Sequence, residues 1–343
     1  MKSRYHLQKM AKAGVYLFFV CLFLVSLMVS PAAAQKQFIR FGDSNPGGFW
    51  FNVVAGLTTL FNEQIKNVNA SCITTGGSTD NNRLARRHEL DTWLTHSYAA
   101  YENWNGIGIF KNEPPFKNFR LLCKVYTGWP TLVVLADSNI YTLSDLKGKR
   151  VCLGGPGSGN YDTARYLLEP NGIWDHIKKQ SISHAGCGRA LVDGNSDAAS
   201  GSACPSAAFI EVEVQRKIRF VSPSEEEIDI AAKANPFFTK DIIPPGGCYK
   251  SIQTPTLTPA YKVYWAAHKD FSPDMVYQML KATFDTKNKD RVQAIHVSMK
   301  ELGPEFNAMV PMKIPLHPGA VKFWKEQGMS VPNELIPPEM KGS

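Results

Sequence analysis

The chain has 343 residues and a formal net charge of +8, with 44% hydrophobic and 20% charged residues. Four of the cations lie in the first twelve residues, and without them the charge falls to +4, an excess too modest to point to nucleic acid. The 309 residues beyond position 34 exceed what one small core fills and suit two lobes.

Lys2, Arg4, Lys9 and Lys12 form a cationic head, Gly14 to Val29 is apolar except for Ser26, and Ser30-Pro31-Ala32-Ala33-Ala34 ends in an Ala-x-Ala pattern. This order predicts a signal peptide over residues 1–34, cleaved after Ala34, and a periplasmic product. The run is shorter than the roughly 20 residues of a spanning helix, and an uncleaved anchor is the competing reading. Cys21 lies inside the run and not at its end, which argues against a lipoprotein.

From Phe38 to Phe41 the pattern is a strand, followed by the turn-rich Asp43 to Gly48 and a helix over Phe49 to Ile65. The order repeats: a strand at Asn69 to Thr74, the loop Thr75-Gly76-Gly77-Ser78, and a helix over Thr79 to Arg87 with Asp80 in its first turn. Arg83, Arg86 and Arg87 are read as a solvated face of that helix, with a phosphate-binding stripe as the alternative. The third unit is the stretch VCLGGPGSGNYDTA, Val151 to Ala164, a strand and glycine loop leading into a helix over Tyr161 to Leu168. Three such units predict an α/β protein with mostly parallel sheets. Leu132 to Ala136 and Tyr261 to Ala267 are strand-like runs without a following glycine loop, and are read as two crossings between lobes. Asn235 to Pro259 is proline-rich and irregular, as a loop over a cleft would be; helices follow over Asp274 to Phe284, Asp290 to Glu301 and Ala320 to Gln327.

Six cysteines remain beyond position 34. Cys72, Cys123 and Cys152 sit in strand-like runs and read as small buried hydrophobes, so Cys187, Cys204 and Cys248 are the better disulfide candidates, with the connectivity open. No Cys-x-x-Cys or His-x3-His spacing suggests a metal, and no cofactor is expected. The loop at Gly154 to Asn160 lacks the lysine of a phosphate loop and has Asn160 where a dinucleotide fingerprint needs glycine. What survives is the capacity of amides at a helix N-terminus to hold a carboxylate or phosphate, with a simple tight turn as the competing reading. There is no Gly-x-Ser-x-Gly elbow or His-Glu-x-x-His; His96 and His184 are read as packed or solvated, so no enzyme is expected.

The stretches Asn45-Pro-Gly-Gly-Phe-Trp-Phe51, Thr75-Gly-Gly-Ser78, Leu143-Ser-Asp-Leu-Lys-Gly-Lys-Arg-Val151, Gly155-Pro-Gly-Ser-Gly159, Ile243-Pro-Pro-Gly246 and Pro315-Leu-His-Pro-Gly-Ala320 occur in an order that resembles the TAXI family. Its members are the solute-binding subunits of tripartite ATP-independent periplasmic (TRAP) transporters. The resemblance implies a type II periplasmic-binding-protein fold, two α/β lobes joined by two crossing strands with a ligand cleft between them. Lobe one is expected at residues 37–135 plus 261–343 and lobe two at 136–260.

It further implies a small organic acid or amino acid as ligand, a membrane TRAP subunit as partner, and contacts from Gly48, Phe49 and Trp50, from Thr75, Gly76, Gly77 and Ser78, and from His96, Ser97 and Tyr98. On the second lobe the implied contacts are Gly157, Ser158, Gly159 and Asn160, then Cys204 and Pro205, and Cys248 and Tyr249. The chain departs from the family at Phe49-Trp50-Phe51, His96-Ser97-Tyr98 and Ala203-Cys204, where polar groups are lost. These changes suggest a monocarboxylate with an apolar or aromatic body packed on Phe49, Trp50 and Tyr98. A stand-alone sensing or scavenging protein, or a secreted enzyme on the same fold, are the alternatives.

Overall fold

The computed structural model describes residues 36–44, 49–156, 158–202 and 204–341; the expected leader, Gly48 and Gly157 lie outside them. In chain order the elements begin with β1 (Gln37–Gly42), α1 (Phe49–Gln64), β2 (Val68–Ile73), α2 (Ser78–Arg86), β3 (Thr92–His96), α3 (Ser97–Asn105) and β4 (Phe119–Gly128). Then come β5 (Thr131–Leu135), β6 (Arg150–Cys152), α4 (Gly159–Leu168), β7 (Lys178–Gln180), α5 (His184–Val192), β8 (Ala198–Gly201), α6 (Ala207–Gln215) and β9 (Ile218–Phe220). The chain continues with α7 (Glu225–Ala234), β10 (Thr239–Ile243), β11 (Thr256–His268), α8 (Pro273–Phe284), α9 (Lys289–Ile295) and α10 (Pro318–Glu326).

Local chemistry accounts for many of these bounds. α1 buries Trp50, Val53, Val54, Leu57, Leu60 and Phe61, the three-to-four spacing of one apolar face. α7 starts in a capping box, with Ser224 and Glu227 exchanging hydrogen bonds. Ser272 caps α8 and Pro273 opens it. α10 lies so close to α8 that a Cβ on Gly319 would fall 2.1 Å from the Pro273 carbonyl oxygen.

Two sheets result. The first runs β10-β11-β3-β1-β2, with β4 also on β11; β1 is parallel to β2 and β3, while β11 is antiparallel to β3, β4 and β10. The second runs β7-β6-β8-β5-β9, with β6 parallel to both neighbours and β5 antiparallel to both of its own. The chain passes from one sheet to the other between Gly128 and Thr131, where a Cβ on Gly128 would collide with the Tyr261 ring. Trp129 Nε1 donates to Asp241 Oδ2 (2.9 Å) and Thr258 Oγ1 to the Pro130 carbonyl (2.9 Å), so the passage is tied to β10 and β11. The run 132–136 assigned to a crossing and to lobe one therefore hydrogen-bonds within the second sheet, as β5. The proline-rich excursion 235–259 is not all loop: β10 and the start of β11 pair there as an antiparallel hairpin.

The alternation of β5 shows how the two sheets meet. Leu132 and Val134 face a core that runs through Tyr98, Tyr166 and Phe237 into the first sheet's Phe41, Leu94 and Trp265. Val133 faces the opposite way, into a second cluster with Cys152, Cys187, Leu191, Phe209 and Tyr249. Two disulfides lie on that side, Cys152–Cys187 and Cys204–Cys248. Cys152 is thus buried as its strand pattern predicts but bridged, because α5 brings Cys187 beneath β6 at a Cα separation of 5.4 Å. Cys72 and Cys123 are free. Arg83 and Arg87 keep much of their side chains in solvent, as a solvated face requires, while Arg83 and Arg86 also pair with Glu113 and lie over the Phe110 ring.

Candidate functional site

β3 ends in His96, which also serves as the N-cap of α3. Its amide donates to Ser78 Oγ (2.9 Å) and its Nδ1 lies 2.7 Å from the Tyr98 hydroxyl. The ring stacks on Tyr98 and is flanked by Trp50, 4.7 Å away, and by the edge of Tyr261, 5.0 Å away. Trp50 Nε1 donates to the Tyr126 hydroxyl (3.0 Å), and Phe49 packs against Tyr126 and His296. Burial drives the His96 pKa down to about 3, which keeps the imidazole neutral, and burial also raises the phenols of Tyr98, Tyr126 and Tyr261.

The facing wall belongs to the second sheet. Ser158 caps α4 by accepting from the Tyr161 amide, and the Gly159 and Asn160 amides have no partner among the described residues. A Cβ on Gly159 would sit 3.0 Å from Ser202 Oγ and 3.1 Å from His96 Cε1, so the two walls approach closely at a residue without a side chain. Asn160 Oδ1 accepts from Ser202 Oγ (2.6 Å), and its Nδ2 lies 2.6 Å from His184 Nδ1. His184 Nε2 in turn lies 3.1 Å from Ser206 Oγ, and the Ser206 amide donates to the Tyr249 hydroxyl (3.1 Å). The Tyr261 hydroxyl crosses the seam to donate to the Ser202 carbonyl. Farther along, Tyr166 donates to Glu102 Oε1 (2.8 Å), and burial pushes the carboxyl of Asp162 up to about 7.

Of the residues expected from the sequence, Phe49, Trp50, His96, Tyr98, Ser158, Gly159 and Asn160 come together at this seam. Thr75 to Ser78 do not open onto it as an anion cradle. The Gly76 amide donates to Asp80 Oδ2 (2.9 Å) and the Gly77 amide to Thr75 Oγ1 (3.0 Å), so the chain's own groups occupy those donors. Thr75 itself is held by Asp43 and Asn81, and Ser78 supports His96 from behind. Ser97 Oγ accepts from the Lys262 amide (3.2 Å), tying α3 to β11. Cys204 and Cys248 are bonded to each other, Pro205 follows a cis peptide, and Tyr249 is a core residue under Ser206.

Tyr126, Tyr261 and Ser202 were not anticipated. An aromatic residue in a strand-like run reads as core, and only the β4–β11 pairing brings these two phenols to the seam. Ser206, His184 and Asn160 have the composition of a nucleophile relay but the opposite polarity. Asn160 Nδ2 can only donate, so His184 Nδ1 accepts, Nε2 carries the hydrogen and points it at Ser206 Oγ, and the serine is not activated. The seam therefore offers binding groups: helix amides, neutral polar side chains and aromatic faces. Cavities of about 210 and 220 Å³ lie elsewhere, one between Ile140 and Asp197 and one beside α8 and α9, and neither is lined by a residue of the seam.

A family model described as the NMT1-like family matches residues 41–328. Among solved structures, XAC2383 from Xanthomonas citri bound to chloride ion aligns with a TM-score of 0.52 at 12% identity, covering 84% of this chain and 99% of that one. The same protein bound to ATP gives 0.52 at 12% identity, over 85% and 98%. The periplasmic aliphatic sulphonate binding protein SsuA from Escherichia coli aligns at 0.48 and 11% identity, over 87% and 96%. At such identities the likeness speaks for the fold alone, the mixed α/β arrangement with two sheets described above.

Proposed function

The chain belongs to the NMT1-like family, and from that premise we propose that it is an extracytoplasmic solute-binding protein that captures a small organic carboxylate between its two lobes. The observation that carries this reading is the N-terminus of α4, with Gly159 set against His96, opposite the rings of Trp50, Tyr98 and Tyr261. Unpartnered amides and the positive end of the helix suit an anion, and the rings suit an apolar body. The apolar residues at Phe49-Trp50-Phe51 and Tyr98, where the related family carries polar ones, favour a monocarboxylate with an apolar body. We take the lobes as 37–130 plus 261–343 and 131–260, with the hinge at Gly128 to Thr131 and the start of β11. An acid that touches both walls stabilises the closed arrangement, and a membrane partner that distinguishes closed from open receives the solute.

The finer assignment, a TAXI-type subunit of a TRAP transporter secreted to the periplasm after cleavage at Ala34, rests on the motif order and the leader pattern. Calorimetry with phenylacetate and 4-methyl-2-oxopentanoate against glutamate and 2-oxoglutarate tests the ligand class. Tighter binding of the first two is expected; tighter binding of the dicarboxylates would sink it.

A further inference from the structure

Two carboxylates lie buried between the two sheets, and they are served unequally. Glu102 on α3 is 5% exposed; its Oε1 accepts from the Tyr166 hydroxyl of α4 (2.8 Å) and its Oε2 from the Ile109 amide (3.0 Å). Asp162 on α4 is 2% exposed, and its Oδ2 has no partner among the described residues. Arg165, one turn on, does not neutralise it: the guanidinium lies over the Tyr166 ring, 5.0 Å from its centroid, and its Nε is also without a partner among the described residues. A carboxylate taken out of water with no partner is strongly disfavoured, and the neutral acid becomes the preferred form. The start of α4 favours the anion, but by less than the loss of water disfavours it. This burial exists only while the two walls are together. Tyr98 and Glu102, which cover Asp162, belong to α3 beside the first sheet, whereas Asp162 and Tyr166 belong to α4 beside the second.

We propose that Asp162 is a proton latch: as the two walls close over it the carboxylate takes a proton from solvent, and as they part it returns the proton, so that acid holds the protein shut and alkali lets it open. The proposal rests on the reading above of two walls that close and part, and the identity of the solute does not enter it. Burial raises Asp162 from the ordinary 3.8 to about 7, with Arg165 lowering it and Glu102 raising it. Burial raises Glu102 as well, against its donors. The other titratable groups at hand are Tyr98 of α3, Tyr166 of α4 and Tyr261 of β11, all held as neutral phenols by burial, and His96 behind Tyr98. Of the remaining elements packed on α4, α7 turns Ile228 and Ala231 inward and β8, Ala198 to Gly201, has no titratable residue. A pKa raised on closing means that closing takes up a proton. The closed form is therefore favoured in full below about pH 4, loses that advantage as the pH rises to about 7, and changes little above it. His96 acts in the opposite sense below its usual 6.5, because its buried ring refuses a proton, so the two are separated by comparison with Asp162→Asn.

Carbon NMR of the Asp162 carboxyl in the unliganded wild type, assigned through its own backbone, needs no variant. A midpoint above about pH 5 is expected; one below it overturns the proposal. Small-angle scattering of unliganded wild type and Asp162→Asn then reads the walls. At pH 7.5 the variant, neutral throughout, should stay compact where the wild type has extended. Relative to the variant, the closed-to-open ratio of the wild type should fall by up to about 100-fold between pH 5 and pH 7.5. Equal radii for the two proteins at every pH overturn the latch. Phenylacetate at pH 7.5 then tells whether the walls move at all: compaction by the acid keeps the capture reading without the latch, and no compaction ends both.

Discussion

The loop before α2 and the loop before α4 are built alike, each a glycine turn feeding a helix with an aspartate in its first turn, Asp80 in one and Asp162 in the other. They differ in where that carboxylate goes. Asp80 folds back onto the Gly76 amide and closes the loop on itself, with Thr75 satisfying Gly77. Asp162 turns into the core between the lobes, where it is 2% exposed and its Oδ2 has no partner among the described residues. The first loop has become a foundation that holds His96 in place; in the second, the Gly159 and Asn160 amides have no partner among the described residues. A helix N-terminus attracts anions wherever it occurs, so whether it forms a binding site depends on whether the chain already supplies the anion.

The largest expected effect breaks the second loop by giving it its own anion. In Ser158→Asp the new carboxylate caps α4 at least as well as serine does, so the melting temperature should stay within a few degrees while phenylacetate binding falls by about 100-fold or more. Calorimetry and thermal unfolding read the two quantities separately. Retained binding would make this loop a second foundation.

Thr75→Val attacks the first loop. It removes a buried hydroxyl that meets Asp43, Asn81 and the Gly77 amide, which should cost about 1–3 kcal/mol of stability in urea unfolding. Binding by the folded fraction should change only a few-fold. A loss of binding without a loss of stability would reverse the roles given to the two loops.

Why the two loops could not be told apart in the sequence follows from these bonds. Glycine turns, strand patterns and helix faces are local, so β1, α1, β2, α2 and α4 lie within a few residues of where the spacing puts them. Whether a first-turn aspartate folds back or turns inward depends on what packs above it, and for Asp162 that is Tyr98 and Glu102 from the other lobe. The same limit hid Tyr126 and Tyr261, whose phenols reach the seam through a pairing between strands more than a hundred residues apart. Cys152 carried a correct local signal, burial, and a missing nonlocal one, the approach of Cys187.

The neutrality of His96 gives a smaller, pH-dependent effect. Its folded pKa of about 3 lies below the usual value of 6.5, so the unfolded chain takes up a proton that the folded one refuses. Stability is therefore full above about pH 6.5 and falls as the pH drops toward 3, by up to about 1.4 kcal/mol per pH unit from this residue. His317, held down to about 4, and His184, lowered by burial, act with the same sign. Urea unfolding at pH 7 and pH 5 should show a shallower loss in His96→Gln than in the wild type. An unchanged slope would mean that His96 meets water in the unliganded protein.

Matched glycine substitutions give the finest comparison. A methyl on Gly76 would meet Asp80 Cβ at 3.4 Å, an ordinary contact, whereas one on Gly159 would meet Ser202 Oγ at 3.0 Å and His96 Cε1 at 3.1 Å, from both walls at once. Alanine also suits a helix better than glycine by up to about 1 kcal/mol, so α4 itself should not be weakened. The strain falls on the approach of the lobes, which must part by a few tenths of an ångström or shift His96. Gly159→Ala should weaken phenylacetate binding by about tenfold while Gly76→Ala stays within about twofold, a difference of about 1.4 kcal/mol in the closed state alone. Small-angle scattering should then find the Gly159→Ala protein more extended with phenylacetate than the wild type. If both variants bind and close alike, the contact at Gly159 is not where the lobes grip, and the difference between the two loops has no bearing on capture.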